Sequence, residues 1–359
     1  MNEQNATGLN GVINSLRSLF SGYGFSEYKM NKFEEYDLYV KNKDFLTSKN
    51  IITFTDTSGK LLALKPDVTL SIVKNTAPSS DVKKVFYNES VYRASSLSYG
   101  YKEISQMGLE CIGEIDELNV AEILTLAVES LMLISPNFVL DVSPIGLISA
   151  FVERLNLESQ VKKSVYKCIN EKNTHELKSI LTSAGVENDK IQKLVLSLEV
   201  YGQTDLAVNR LKEIFSGTDF MQTVNDFANI LSVLPDGVKE YINIDCACIE
   251  SVKYYNSITF KGYVNGIPKE VLSGGRYDGL LKSMGKDYKA IGFAIYLDEV
   301  DRLFTVKKDY DVDVVIVYGD GSNKKEVLNK VKELFDGGKT VTAVKSLPDK
   351  LTFKQKIEM

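Results

Sequence analysis

Apolar residues recur at helical spacing from the start of the chain. Leu9, Val12, Ile13, Leu16, Leu19 and Phe20 make one stripe, which Gly22 and Gly24 close, and this predicts an amphipathic helix. The pattern then changes to alternation. Residues 51–56 and 61–64 flank Thr57-Ser58-Gly59-Lys60 and predict a hairpin, stopped by Lys65-Pro66-Asp67 before a short helix with proline at its entrance. Two longer runs, 82–93 and 101–112, predict strands joined by a polar loop, and a helix follows over 118–133.

From about 142 the character is helix after helix, broken near Asn156, Gly185, Gly202 and Gly217, with no strand pattern until about 235. Strands resume at YINIDCACI, SITFKGYV and KEVLS, and AIGFAI runs on into a helix at YLDEVDRLF. Strands, a block of helices and strands again predict one antiparallel sheet of six or seven strands carrying an inserted subdomain. After the charged KKDYD, a strand (DVVIVYG), a helix (KKEVLNKVKELF) and a weak strand (TVTAV) begin a βαβ unit that stops short of a doubly wound domain. The fold class is α+β. Its expected divisions are 1–142 and 236–306 for the sheet-bearing core, 143–235 for the helical insertion and 307–359 for a truncated α/β piece.

Composition narrows the classes. With 44% hydrophobic and 25% charged residues the chain is globular, and no stretch approaches the ~18 apolar residues of a membrane helix. The first residues carry no basic cluster followed by an apolar run, so the expected location is cytoplasmic. The net charge is −5, and basic residues cluster no further than pairs such as Lys83-Lys84 and Lys324-Lys325, which makes nucleic acid a poor partner. Four scattered cysteines make neither a disulfide framework nor a thiolate metal site; Cys246 and Cys248, two apart in an alternating stretch, read as core side chains on one strand face. The single histidine, His175, sits in a polar run and reads as a solvated helix residue, which leaves no basis for a histidine metal triad or Ser-His-Asp chemistry. No cofactor is expected.

Four segments carry a more specific signal: Leu64-Lys65-Pro66-Asp67-Val68-Thr69; Val91-Tyr92-Arg93 with Gln106-Met107-Gly108-Leu109-Glu110; Tyr254-Tyr255-Asn256; and Gly274-Gly275-Arg276-Tyr277-Asp278-Gly279-Leu280. Singly, they read as a helix start, strand residues and a turn. In this order and spacing they resemble the histidine-specific branch of class II aminoacyl-tRNA synthetases, over roughly residues 1 to 305. The last segment matches a signature of that branch outright.

The resemblance implies a histidine pocket. Asp67 and Thr69 would take the ammonium, Gln106 would bridge toward it or the carboxylate, and Arg93 would face the carboxylate. Glu110, four residues beyond Gln106 and so on the same strand face, would address the imidazole with Tyr255, beside Tyr254, and Tyr277 would close the site. Adenylation is expected to be absent, because it needs fixed cations on the phosphates. Glu250 stands where those synthetases carry an arginine four residues before the paired tyrosines, and Glu299 stands at the ATP-binding arginine position. Tyr296 would fill the adenine space, Ser95 replaces a glutamate, and only Lys102 replaces the loop arginine.

A histidine pocket without this chemistry or a full anticodon-binding domain resembles the family's non-catalytic paralogues, the regulatory subunits of short-form ATP phosphoribosyltransferase. That implies a catalytic-subunit partner, L-histidine as effector and, through motif 1 near Tyr28 to Tyr36, a homodimer. One alternative is a divergent amino-acid-activating enzyme. Another is a nucleotide-binding module at Gly319 to Asn323, against which a simple turn and helix cap is favoured.

Overall fold

The computed structural model describes residues 8–46, 50–76, 81–94, 100–249, 254–304 and 310–359. The chain divides into two compact units, Met1–Phe304 and Thr305–Met359.

The first unit is built on a nine-stranded sheet in the order β1 (Ser26–Glu27), β5 (Lys83–Ala94), β6 (Tyr101–Gly113), β12 (Lys289–Tyr296), β11 (Glu270–Arg276), β10 (Thr259–Val264), β7 (Phe138–Ser143), β9 (Ile242–Asp245) and β8 (Tyr201–Gln203). Pairing is antiparallel except for β1 with β5 and β7 with β9. The class II synthetase-like antiparallel core thus holds, with more strands than the six or seven expected. The two longest predicted strands pair in unbroken register from Lys83 opposite Ile112 to Ala94 opposite Tyr101.

Alternation gives the sheet two faces of different chemistry. Phe86, Leu109, Phe293, Gly274, Phe260 and Val142 stand side by side across six strands on the face covered by α1 (Leu9–Gly22) and α4 (Glu117–Ile134). Phe20 of α1 meets Phe86 and Phe293 with ring centroids 5.8 and 6.0 Å apart. Gly262 lets α4 come close, since a Cβ there would stand 2.7 Å from Leu131. The rows between point the other way. One is Val85, Glu110, Gly292, Gly275, Thr259 and Ser143; the next is Tyr87, Gly108, Ala294, Ser273, Lys261 and Asp141. Small residues at the middle of both rows leave this face bare.

Above it sits a three-stranded sheet, β2 (Phe33–Glu35), β4 (Leu61–Leu64) and β3 (Thr53–Thr55), containing the predicted hairpin. Between β4 and β5 comes the short helix α3 (Thr69–Asn75). The expected insertion is a succession of helices from α5 (Ile145–Arg154) to α11 (Asp236–Lys239), with Phe151, Phe215 and Phe220 packed together in its core. Contrary to expectation it also contributes a strand, β8, whose three residues around Gly202 are too few for an alternating pattern. The expected strand through Cys246 and Cys248 ends early: the Asp245 carboxylate accepts from the Ala247 N–H at 2.9 Å and turns the chain, burying Cys246 and leaving Cys248 half-buried. His175 is exposed on a helix, as its polar surroundings predict. No helix among the described residues is long and apolar enough to cross a membrane.

In the second unit β13 (Val312–Val317) lies between parallel β14 (Val341–Val344) and β15 (Phe353–Glu358). Helix α14 (Lys324–Asp336) covers one face through Val327, Val331 and Leu334. The third strand, whose FKQKIE carries only two apolar residues, was not anticipated. Within Gly319 to Asn323 the Asn323 side chain accepts from Lys325 N–H at 3.1 Å and Ser322 Oγ accepts from Gly319 N–H at 2.8 Å, a turn and cap.

Candidate functional site

The bare sheet face floors a cavity of about 410 Å³. All eight side chains singled out in the sequence line it: Asp67, Thr69, Arg93, Gln106, Glu110, Tyr254, Tyr255 and Tyr277.

Each is placed by a local device. The segment before α3 is tied to the edge of β5, because Tyr92 N–H donates to the Lys65 carbonyl at 2.9 Å and the buried Lys65 ammonium pairs with Glu89 at 2.5 Å. Asp67 then starts α3 by accepting from Leu70 N–H at 2.9 Å, which leaves its second oxygen toward Arg93 at 3.9 Å. Arg93 itself donates through Nε to the Pro66 carbonyl at 2.9 Å.

The two tyrosine-bearing signatures are latched together. Asp278 accepts from Arg276 Nε at 2.9 Å and from Asn256 Nδ2 at 3.1 Å, while its N–H donates to Asn256 Oδ1 at 2.8 Å. Arg276, Asp278 and Asn256 therefore serve geometry, and Tyr254, Tyr255 and Tyr277 are delivered to the cavity. Tyr254 meets Tyr255 edge-on at 4.8 Å and Tyr277 at 5.7 Å. Gly275 is what admits Tyr255, since a Cβ there would stand 2.6 Å from its ring.

Glu110 is the centre of the site. It is 3% exposed on β6, accepts from Thr69 Oγ1 at 2.7 Å and from the Tyr277 hydroxyl, and occupies space that only glycine at 292 leaves open. Burial pushes its carboxyl up to about 8, against the two hydroxyl donors, which hold it down, and with a smaller upward push from Asp67. Burial raises Asp67 as well, opposed by Arg93 and by the backbone N–H groups at the start of α3. Burial disfavours the charged form of both carboxyls, so a cationic group entering the cavity would supply the missing counter-charge and return them to carboxylates.

Three partnerships differ from the sequence reading. Tyr277, expected only to close the site, bonds directly to Glu110, whereas the Tyr255 hydroxyl meets Ser273. Thr69, assigned to the ammonium, is already committed to Glu110. Gln106 is buried with no hydrogen bond to its amide among the described residues, so its donors and acceptor are available to a ligand. Sequence reasoning missed Tyr87, Lys261, Glu270, Ser273 and Gly292, which also line the cavity. The glycines of QMGLE and AIGFAI were the available signal, because glycine inside an alternating strand marks a close approach; a Cβ at Gly108 would stand 2.6 Å from the Tyr87 hydroxyl.

Of the positions read against ATP chemistry, Tyr296 lines the cavity. Glu299 lies on α13 (Leu297–Asp301), paired with Arg302 at 2.9 Å. Ser95 and Glu250 lie outside the described residues.

The histidyl-tRNA synthetase family model matches residues 1–300. An ATP phosphoribosyltransferase regulatory subunit from Oceanobacillus iheyensis is 29% identical over 301 residues, covering 82% of this chain and 73% of that one. One from Thermoanaerobacter sp. is 30% identical over 293 residues, covering 80% and 76%. The crystal structure of an ATP phosphoribosyltransferase regulatory subunit/histidyl-tRNA synthetase from Bacillus halodurans shares the fold, with a TM-score of 0.72 at 19% identity over 98% of this chain and 93% of that one. The chain belongs to the histidyl-tRNA synthetase family and, within it, groups with the regulatory subunits of ATP phosphoribosyltransferase.

Proposed function

We propose that this chain is a non-catalytic subunit that activates a short-form ATP phosphoribosyltransferase catalytic subunit and passes histidine feedback to it. Free L-histidine is the effector, held in the cavity with its ring at Glu110 and Tyr277 and its ammonium at Asp67 and Gln106. The observation that carries this reading is the convergence of eight side chains on one cavity around a buried carboxylate, in a chain whose relatives bear the regulatory name. Aminoacylation is absent on this reading, with Tyr296 in the cavity and Glu299 in place of a phosphate-binding arginine. The chain works in the cytoplasm as a homodimer without tRNA.

Two measurements test it. The purified chain should exchange no pyrophosphate into ATP above a control lacking histidine; histidine-dependent exchange would favour the amino-acid-activating alternative. In calorimetry, L-histidine should bind and other amino acids should bind far more weakly. Measured above pH 8, where the Glu110 carboxyl is ionised, Glu110→Gln should cost histidine affinity about 1.5–3 kcal/mol, the worth of a charged hydrogen bond, while Asp67→Asn should weaken every α-amino ligand alike. Full histidine affinity in the Glu110→Gln protein, alone and with the catalytic subunit, would leave the cavity without this role.

A further inference from the structure

We propose that the Tyr87 hydroxyl takes the second ring nitrogen of the ligand, beside the one that Glu110 takes; this deepens the histidine reading and rests on it. An imidazole side chain has one nitrogen next to its attachment point (Nπ) and one at its far end (Nτ), and a site that recognises the ring by hydrogen bonds has to meet both. Glu110 meets one. Tyr255 was expected to meet the other, but its hydroxyl is bonded to Ser273, and the Tyr277 hydroxyl commits its proton to Glu110.

Tyr87 reaches the cavity from β5 and is 2% exposed. It stands opposite Gly108 on β6, which stands opposite Ala294 on β12. A Cβ at Gly108 would lie 2.7 Å from the Tyr87 Cζ and 2.6 Å from its hydroxyl, so the phenol lies across the glycine and its hydroxyl comes up over β6. Gln106 and Glu110, two residues before and after Gly108, share that face, each roughly 7 Å along the strand. The hydroxyl is thus placed between the amide that awaits the ligand's backbone and the carboxyl that awaits its ring. A ligand spanning the two lays the near edge of its ring over Tyr87, which brings Nπ to the hydroxyl and Nτ to Glu110. Burial, and then the facing carboxyls of Glu110 and Asp67, keep the phenol protonated. A protonated phenol gives one hydrogen bond and accepts others, so it can donate to a neutral ring and accept from a cationic one.

The test compares L-histidine with β-(pyrazol-4-yl)-L-alanine, which has a ring of the same size, nitrogens at the far end and C–H at the Nπ position. Both are titrated calorimetrically into the full chain, unsubstituted and as Tyr87→Phe, the pyrazole by displacement of histidine where its own heat is small. The unsubstituted chain should bind the pyrazole more weakly than histidine by roughly three- to tenfold, the worth of one hydrogen bond. Tyr87→Phe, which keeps the floor and deletes the hydroxyl, should weaken histidine by about the same factor and change the pyrazole by less than about twofold. Glu110→Gln, titrated above pH 8, should weaken both, because both keep the far nitrogen. Histidine affinity unchanged in Tyr87→Phe, or an equal loss of both ligands, would overturn the assignment. Should the Phe protein fail to fold, the unsubstituted chain decides alone, and equal affinity for the two ligands there would overturn it as well. An unsubstituted chain that takes up neither ligand would instead sink the histidine reading itself.

Discussion

Glu110 holds its proton far past the pH at which an ordinary carboxylate gives it up, because burial outweighs the hydroxyls of Thr69 and Tyr277. The consequence for stability has a definite sign. Its value rises from an ordinary 4.5 to about 8 in the fold, so between those pH values the folded chain binds more protons than the unfolded one. Stability therefore falls as pH climbs from about 4.5 to about 8, and levels off above. Glu110→Gln, neutral at every pH, should flatten that slope and make the empty protein more stable at pH 8 by on the order of a few kcal/mol. Urea denaturation of both proteins at pH 5 and pH 8 checks this, and a Gln protein less stable at pH 8 would contradict it. At this scale the sequence was most informative: residue types that match a histidine ligand's groups were identifiable by motif. Their bonds to one another were not, because Tyr277 meets Glu110 across 167 positions of chain.

Strands here are read by what they omit as much as by what they carry. Ala at position 292 would place a Cβ 1.9 Å from a Glu110 oxygen and 2.3 Å from the Leu109 carbonyl, so Gly292→Ala should destabilise by about 2–4 kcal/mol and disable the cavity. The same change at Gly279, on α12 (Asp278–Ser283), meets only the Phe45 ring at 3.8 Å and should be neutral or stabilising by up to ~1 kcal/mol. Equal midpoints in a parallel pair of denaturation curves would refute the contrast. Long elements with an unambiguous period, such as α4 and the β5–β6 pair, were legible within a residue or two. Short ones were not: β8 and β15 owe their existence to neighbours that supply hydrogen bonds, and local pattern holds no trace of that. Single strand glycines such as Gly108 and Gly292 were visible, but that they make one floor was not, since they come together only through cross-strand register.

For the molecule, the eight site residues come from segments near 67, 93, 106, 254 and 277, and the helical insertion separates the last two segments from the others in sequence. Family signatures could bridge that distance; composition and periodicity could not. The sheet that gathers them is a wall one residue thick. Gly292 and Ala294 face the cavity, while Ile291, Phe293 and Ile295 between and beside them are packed into the core shared with α1 and α4. An occupant pressing on one side thus leans, one peptide away, on the residues that seat two helices on the other, and no relay of intermediate contacts is needed. Hydrogen–deuterium exchange should register this as slower opening of backbone amides in α4, on the dry side of the wall, when histidine saturates the cavity. Slowing confined to cavity-lining segments would mean that the wall stops the message.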